Sequence, residues 1–320
     1  MKYVKCAAEN ADSSKFCKER GKHILSKKPA LSAILAVISL FAMVLPFSGC
    51  GGSTNRPPSN PISSATKSPA PITTTTATSI SWATVGAMSV NADTNAATYK
   101  SNGVDISAYL YKPEGAGPFP AVLVLHGGLG LTKDYRLYAS WLATQGYVAL
   151  APDYMSPLVL HEWTGSEYLT YTDPARAILA QGLEALKSLP YVDAEHVAII
   201  GFSLGGYFAF LLGTRSDLKA VVSYYGAYIP DSAAKYRFAD IVAQINEPVL
   251  MFHGDADSDV PISAAYTTRD LLTSFNKQFD FIVYPGVGHL FNFAGQATFD
   301  ANAAQDSQQK VLAFLNTTLH

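Results

Sequence analysis

The sequence predicts an α/β fold in which a mostly parallel, doubly wound sheet carries helices on both faces. Three observations predict it. Apolar, β-branched runs alternate with segments of helical periodicity from about residue 120 to the end of the chain. Several of those runs are continuously apolar, as strands buried on both faces must be. The polar, chemistry-bearing residues gather just after the runs, where ligands bind in an open α/β sheet.

Taken in order, Tyr99 to Tyr111 reads as a hairpin, because Asn102-Gly103 accommodates the positive φ angles of a two-residue turn. Ala121 to Leu125 is a buried strand followed by His126-Gly127-Gly128-Leu129-Gly130. Tyr135 to Gln145 has helical spacing at Leu137, Tyr138, Trp141 and Leu142 and stops at Gly146, and Tyr147 to Ala151 returns as a strand. Pro174 to Leu189 is expected as a helix opened by Asp173. Val197 to Ile200 is a strand and Leu204 to Leu212 a helix, joined by G-F-S-L-G-G, the G-x-S-x-G pattern centred on Ser203. Further strands fall at Ala220 to Ser223, Pro248 to Phe252 and Phe279 to Tyr284, with helices near Ile262 to Ser274 and Thr298 to Leu315.

The first quarter of the chain is different in kind. Residues 3 to 21 resemble a short bacterial zinc ribbon, but Tyr3 and Arg20 stand where two of its thiolates belong, so no metal is expected at Cys6 and Cys17. Ala30 to Phe47 is almost uninterrupted apolar sequence, preceded by Lys27-Lys28 and followed by Ser48-Gly49-Cys50. This resembles a bacterial lipoprotein signal with Cys50 as the lipidated residue; an uncleaved anchor helix is the alternative, and both leave the rest of the chain outside the cytoplasm. Residues 51 to 83 are rich in Ser, Thr and Pro, with too few apolar groups to offset the entropy of ordering, and read as a tether between that membrane segment and a domain over 84–320.

Residues 1–49 carry eight Lys/Arg and three Asp/Glu out of totals of 23 and 25, which leaves fifteen basic against twenty-two acidic side chains and a net charge of −7 for the remainder. Nucleic acid is therefore not an expected partner. Cys6, Cys17 and Cys50 are the only cysteines, so the domain must hold together without a disulfide.

The chemistry lies in three loops. Ser203 follows one strand; His253-Gly254-Asp255-Ala256-Asp257-Ser258-Asp259-Val260-Pro261 follows another; Pro285-Gly286-Val287-Gly288-His289 follows a third. A serine hydroxyl becomes a useful nucleophile when a neutral imidazole takes its proton, and a carboxylate then fixes the tautomer of that imidazole. The residues alone leave Asp255, Asp257 and Asp259 as candidates for the carboxylate. His126 and His253 are read as loop-bonding histidines, and no metal-ligand spacing occurs among the histidines. Tyr154, Trp163, Tyr168, Tyr171, Tyr224, Tyr225 and Tyr228 form an aromatic set that could line a pocket or fill the core.

G-F-S-L-G-G, H-G-x-x-D-x-x-V-P, G-x-G-H and A-P-D-Y stand in the order found in dienelactone hydrolases, and the domain resembles that family of the α/β-hydrolase fold. The resemblance implies Ser203 as nucleophile, His289 as general base and acid, and Asp257 as the carboxylate, with Asp255 as runner-up. It implies an oxyanion hole from the backbone N–H groups of Gly128 and Leu204, and no cofactor. Two departures stand out: family members usually carry Cys where Ser203 stands, and an arginine that grips the substrate carboxylate is replaced in the region of Phe291, Asn292 and Phe293. The expected activity is hydrolysis of a small-molecule carboxylic ester rather than of a dianionic lactone. A serine peptidase or polyester hydrolase is the alternative, and a binding lipoprotein on an inactive scaffold is the alternative of another class. Specificity is expected to reside in the loops around Ser156 to Thr172 and Ala227 to Ala243.

Overall fold

The computed structural model describes residues 88–226 and 228–320. The zinc-ribbon resemblance, the membrane segment with Cys50 and the tether lie outside the described residues.

The antiparallel end of the sheet comes first in the chain. β1 (Ser89–Val90), β2 (Ala96–Ser101) and β3 (Val104–Tyr111) form a meander, and the β2–β3 turn places Asn102 and Gly103 at φ 48° and 84°. β4 (Phe119–Leu125), α1 (Lys133–Thr144) and β5 (Val148–Pro152) follow, then a 3₁₀ turn over Ser156–Leu158, the one-turn α2 (Glu167–Thr170) and α3 (Thr172–Lys187). β6 (Val192–Phe202) leads through Ser203 into α4 (Leu204–Leu212), then β7 (Ala220–Tyr224), α5 (Phe238–Gln244), β8 (Val249–Gly254), α6 (Ile262–Ser274), β9 (Phe279–Tyr284) and α7 (Ala301–Leu319).

The nine strands form one sheet in the order β1-β2-β3-β5-β4-β6-β7-β8-β9. β3 pairs antiparallel with β5, and every pairing from β5 through β9 is parallel. The pleat sends alternate residues to opposite faces. In β4, Ala121, Leu123 and Leu125 join one core while Val122 and Val124 join the other. The first core packs under α3, α4, α5 and α6, through residues such as Leu183, Phe208, Phe238 and Leu272. The second packs under α1 and α7, through Tyr138, Leu142, Val311 and Leu315. Two apolar layers explain why the central strands read as continuous hydrophobic runs.

Several boundaries differ from the sequence reading. α3 opens at Thr172 rather than behind an Asp173 cap; Asp173 lies in the first turn, where it accepts from the Tyr236 hydroxyl and pairs with Lys235 Nζ at 2.6 Å. A carboxylate with tertiary cations in reach gains more from them than from a local amide. α7 starts at Ala301, where Asp300 caps it by accepting from the Ala303 N–H at 2.8 Å. α5 was not foreseen; only Phe238, Ile241 and Val242 of its seven residues are buried, too short a pattern to stand out as periodic.

Candidate active site

Ser203 sits where β6 turns into α4, with φ 53° and ψ −118°, a strained conformation for a residue that has a side chain. Close approach holds it there. A Cβ on Gly201 would lie 2.0 Å from the Gly205 carbonyl oxygen, and one on Gly205 would lie 2.3 Å from the Leu125 carbonyl oxygen. Only glycine lets strand, turn and helix cross at this distance. The Leu204 N–H is the first amide of α4 and has no acceptor within the helix, so it is available for an anion beside Ser203.

Three strand-end loops converge on this point. His289 Nε2 is 3.0 Å from Ser203 Oγ, and His289 Nδ1 is 2.7 Å from Asp257 Oδ2. With its proton on Nδ1, donated to Asp257, the imidazole leaves Nε2 free to accept from the serine hydroxyl. The Asp257 side chain is fully buried, and its other oxygen accepts from the Asp259 and Val260 N–H groups at 2.9 and 2.8 Å. Burial pushes the Asp257 carboxyl upward, but the hydrogen bond and charge of His289, the Val260 amide and the nearby His253 outweigh it and hold the group below its ordinary value.

The other two aspartates of that loop do different work. Asp255 Oδ1 accepts from the Gly286 N–H at 2.6 Å and so ties the β8 loop to the β9 loop. Asp259 is exposed and lines the cavity. Of the three carboxylates left open by the sequence, Asp257 is the one the fold brings to His289.

The imidazole has two supports: Tyr225 with Asn292, which the sequence does not assign to it, and His253, the loop-bonding histidine expected from the sequence. Tyr225, fully buried and at φ 37°, sets its ring 4.6 Å from that of His289 and donates its hydroxyl to Asn292 Oδ1 at 2.7 Å. Asn292 thus holds the histidine's own loop in the region where an arginine was missing. His253 donates from Nε2 to the Val260 carbonyl at 2.8 Å and approaches Asp257 Oδ2 at 3.6 Å. The sequence signal for His253 was its place in H-G-x-x-D; a positive φ at Tyr225 has no signal in a Tyr-Tyr-Gly run.

Ser203, His289, Leu204 and Gly128 open on one cavity of about 880 Å³. Both loops expected to set specificity contribute, the first through Glu162, Trp163, Thr164, Gly165 and Tyr168 and the second through Tyr228, Ile229 and Pro230. The aromatic set divides: Trp163, Tyr168 and Tyr228 line the cavity, while Tyr154, Tyr224 and Tyr225 are fully buried core. Tyr171 packs its ring edge-on to Trp163 behind the wall, with centroids 6.5 Å apart. Among the described residues, no group of three or more His, Cys, Asp or Glu side chains is arranged to hold a metal.

The chain is similar to several known proteins. A Yersinia pestis protein named as a carboxymethylenebutenolidase is 29% identical over 231 residues, which is 67% of this chain and 85% of the relative. One from Synechocystis, named likewise, is 29% identical over 245 residues, 72% of this chain and the whole of the relative. A crystal structure from Klebsiella pneumoniae, described as a dienelactone hydrolase, superposes with a TM-score of 0.60 at 28% identity, covering 68% of this chain and 95% of that one. The model of the dienelactone hydrolase family matches residues 106–319, well over half of the chain. The chain is an α/β-hydrolase and a carboxylic ester hydrolase, and it belongs to the dienelactone hydrolase family.

Proposed function

We propose that this protein hydrolyses a carboxylic ester through an acyl-enzyme on Ser203. The observation that carries the reading is the unbroken chain Asp257–His289–Ser203, with links of 2.7 and 3.0 Å, at the floor of an open cavity. His289 Nε2 takes the hydroxyl proton as Ser203 Oγ attacks the ester carbonyl. The Gly128 and Leu204 N–H groups receive the negative charge that develops on the carbonyl oxygen. Collapse expels the alcohol, which leaves with the proton from His289. Water, deprotonated by the same nitrogen, then attacks the acyl-enzyme and releases the acid and free serine.

Ser203→Ala tests this, because it removes only the hydroxyl from a turn whose shape the glycines set. The expected loss of kcat is on the order of a millionfold against p-nitrophenyl acetate, with covalent labelling by a fluorophosphonate abolished. Retention of more than about a hundredth of the activity in pure variant would remove Ser203 as nucleophile. Faster turnover of peptide anilides than of esters by the native protein would turn the reading towards a peptidase.

The location proposed for this activity is the outer side of a membrane, through lipidation at Cys50. Its support is the Lys27-Lys28 flank, the apolar run to Phe47 and the small pair Ser48-Gly49. Cys50→Ser expressed in a bacterial host should block acylation and change the membrane fraction; a variant that stays membrane-bound like the native chain would identify a stable anchor helix instead.

A further inference from the structure

The cavity over Ser203 is unbalanced in charge. Glu162 and Asp259, on two different loops, line it, and no lysine or arginine does. Among the described residues neither carboxylate belongs to an ion pair. Asp259 Oδ1 accepts one long hydrogen bond from the Ser258 hydroxyl at 3.4 Å, whereas both oxygens of Glu167 are held by Thr164 and Ser166 at 2.9 Å or less. The positive charge that His289 acquires during turnover is already matched by Asp257 at 2.7 Å, so it offers no counter-ion to a substrate.

A second feature of the lining points the same way. Trp163, Tyr168 and Tyr207 form a continuous aromatic wall, with T-shaped contacts at centroid distances of 5.7 Å between the first pair and 5.3 Å between the second, and Tyr228 adds a further ring to the lining. Ring faces carry negative electrostatic potential and attract cations. A carboxylate entering this space would shed water beside two carboxylates and aromatic faces, with no cation to receive it. An ammonium would find both of the groups that stabilise it.

We infer that the site selects esters by charge: at equal shape, a cationic alcohol or acyl group is preferred to a neutral one, and a neutral one to a carboxylate-bearing one. The inference rests on the esterase reading given above and names the substrate class of that same site.

Three acetate esters test it on the native chain: those of choline, of its uncharged carbon isostere 3,3-dimethylbutanol, and of glycolic acid. At low ionic strength kcat/KM for the choline ester should exceed that for the isostere by about three- to tenfold, the range expected when exposed carboxylates and ring faces act together. The glycolate ester should fall below the isostere by a similar factor. Because these charges face water, about 1 M salt should bring the ratio of choline ester to isostere close to one. Glu162→Gln should lower that ratio by about threefold, and Asp259→Asn should lower it also. Equal kcat/KM for choline ester and isostere at low salt, or a faster glycolate ester, overturns the inference while leaving the esterase intact. If neither the isostere nor p-nitrophenyl acetate is turned over and a fluorophosphonate does not label Ser203, the esterase reading fails and the charge preference with it. The salt series on native protein decides the matter even if a variant does not fold.

Discussion

Two loops of this molecule begin with the same dipeptide at the same place, the carboxyl end of a parallel strand: His126-Gly127 after β4 and His253-Gly254 closing β8. Both histidines are buried, at 0% and 1% exposure, and both donate to a backbone carbonyl of their own loop, Gly127 for one and Val260 for the other. Each also approaches an aspartate, Asp153 at 4.0 Å and Asp257 at 3.6 Å. The difference lies in what the aspartate has left to give. Asp153 accepts from the Met155 and Ser156 N–H groups and from the Ser156 hydroxyl, all within its own loop. Asp257 accepts its loop amides on one oxygen and keeps the other for His289, a residue on a different strand's loop. One arrangement of histidine and carboxylate therefore serves two ends: the first holds the segment carrying Gly128, and the second sets a carboxylate against the His289 ring that faces Ser203.

The sharpest way to break that comparison is to neutralise the aspartates. Asp257→Asn should reduce kcat by about ten-thousandfold, because the amide keeps the shape but favours the wrong imidazole tautomer. Asp255→Asn and Asp259→Asn should each leave most of the rate, since neither reaches His289. Steady-state kinetics on the three variants checks this, and a larger loss in Asp255→Asn would move the carboxylate role to that residue.

Acid stability separates the two histidines next. Burial pushes His126 down to about 4, against the opposing pull of the Gly127 carbonyl and Asp153, and burial also lowers His253. A histidine depressed in the fold is protonated more readily in the unfolded chain, so the unfolded state binds more protons between about pH 4 and the ordinary imidazole value near 6.5. Stability should thus fall as pH drops through that window, by on the order of 3 kcal/mol from His126 alone. Urea unfolding at pH 7 and at pH 5 checks it: His126→Asn should be less stable at pH 7 yet show a flatter decline, and an unchanged slope would mean the group is not held neutral.

The glycines give the smallest effect and the finest distinction. A Cβ on Gly254 would lie 2.1 Å from the Val287 carbonyl oxygen, a backbone atom that cannot step aside, whereas one on Gly127 would meet first the Tyr135 hydroxyl at 2.7 Å. Gly254→Ala should lower stability by about 2 to 3 kcal/mol, at the upper end of overpacking effects. Gly127→Ala should cost about 1 kcal/mol or less, because a side-chain tip can move. Thermal unfolding of both variants measures the gap, and equal shifts in Tm would remove the distinction between the loops.

Much of this architecture was legible before any coordinates. α6 and β9 begin and end at the residues their patterns indicated, and the Asn102-Gly103 turn adopts the two positive φ angles its residues favour. Those features depend on local preference and on burial periodicity, which the chain carries residue by residue. The start of α3 was misplaced because Asp173 is claimed by Lys235 and Tyr236, some sixty positions away, and no local rule registers such partners. α5 was missed because a seven-residue helix has too few buried positions to establish a period.

By itself the sequence determined that a serine, an aspartate and a histidine would stand at the ends of three parallel strands, because motif spacing and strand pattern are local properties of the chain. The tertiary structure set Asp257, the motif's candidate, against His289 where the residues alone had left three aspartates open, and it alone decided that Tyr225 and Asn292 brace that histidine and that Glu162 and Asp259 share a cavity with no lysine or arginine. Each of these depends on the relative placement of residues from about thirty to a hundred positions apart, which is fixed by packing two cores against one twisted sheet rather than by any neighbour in the chain.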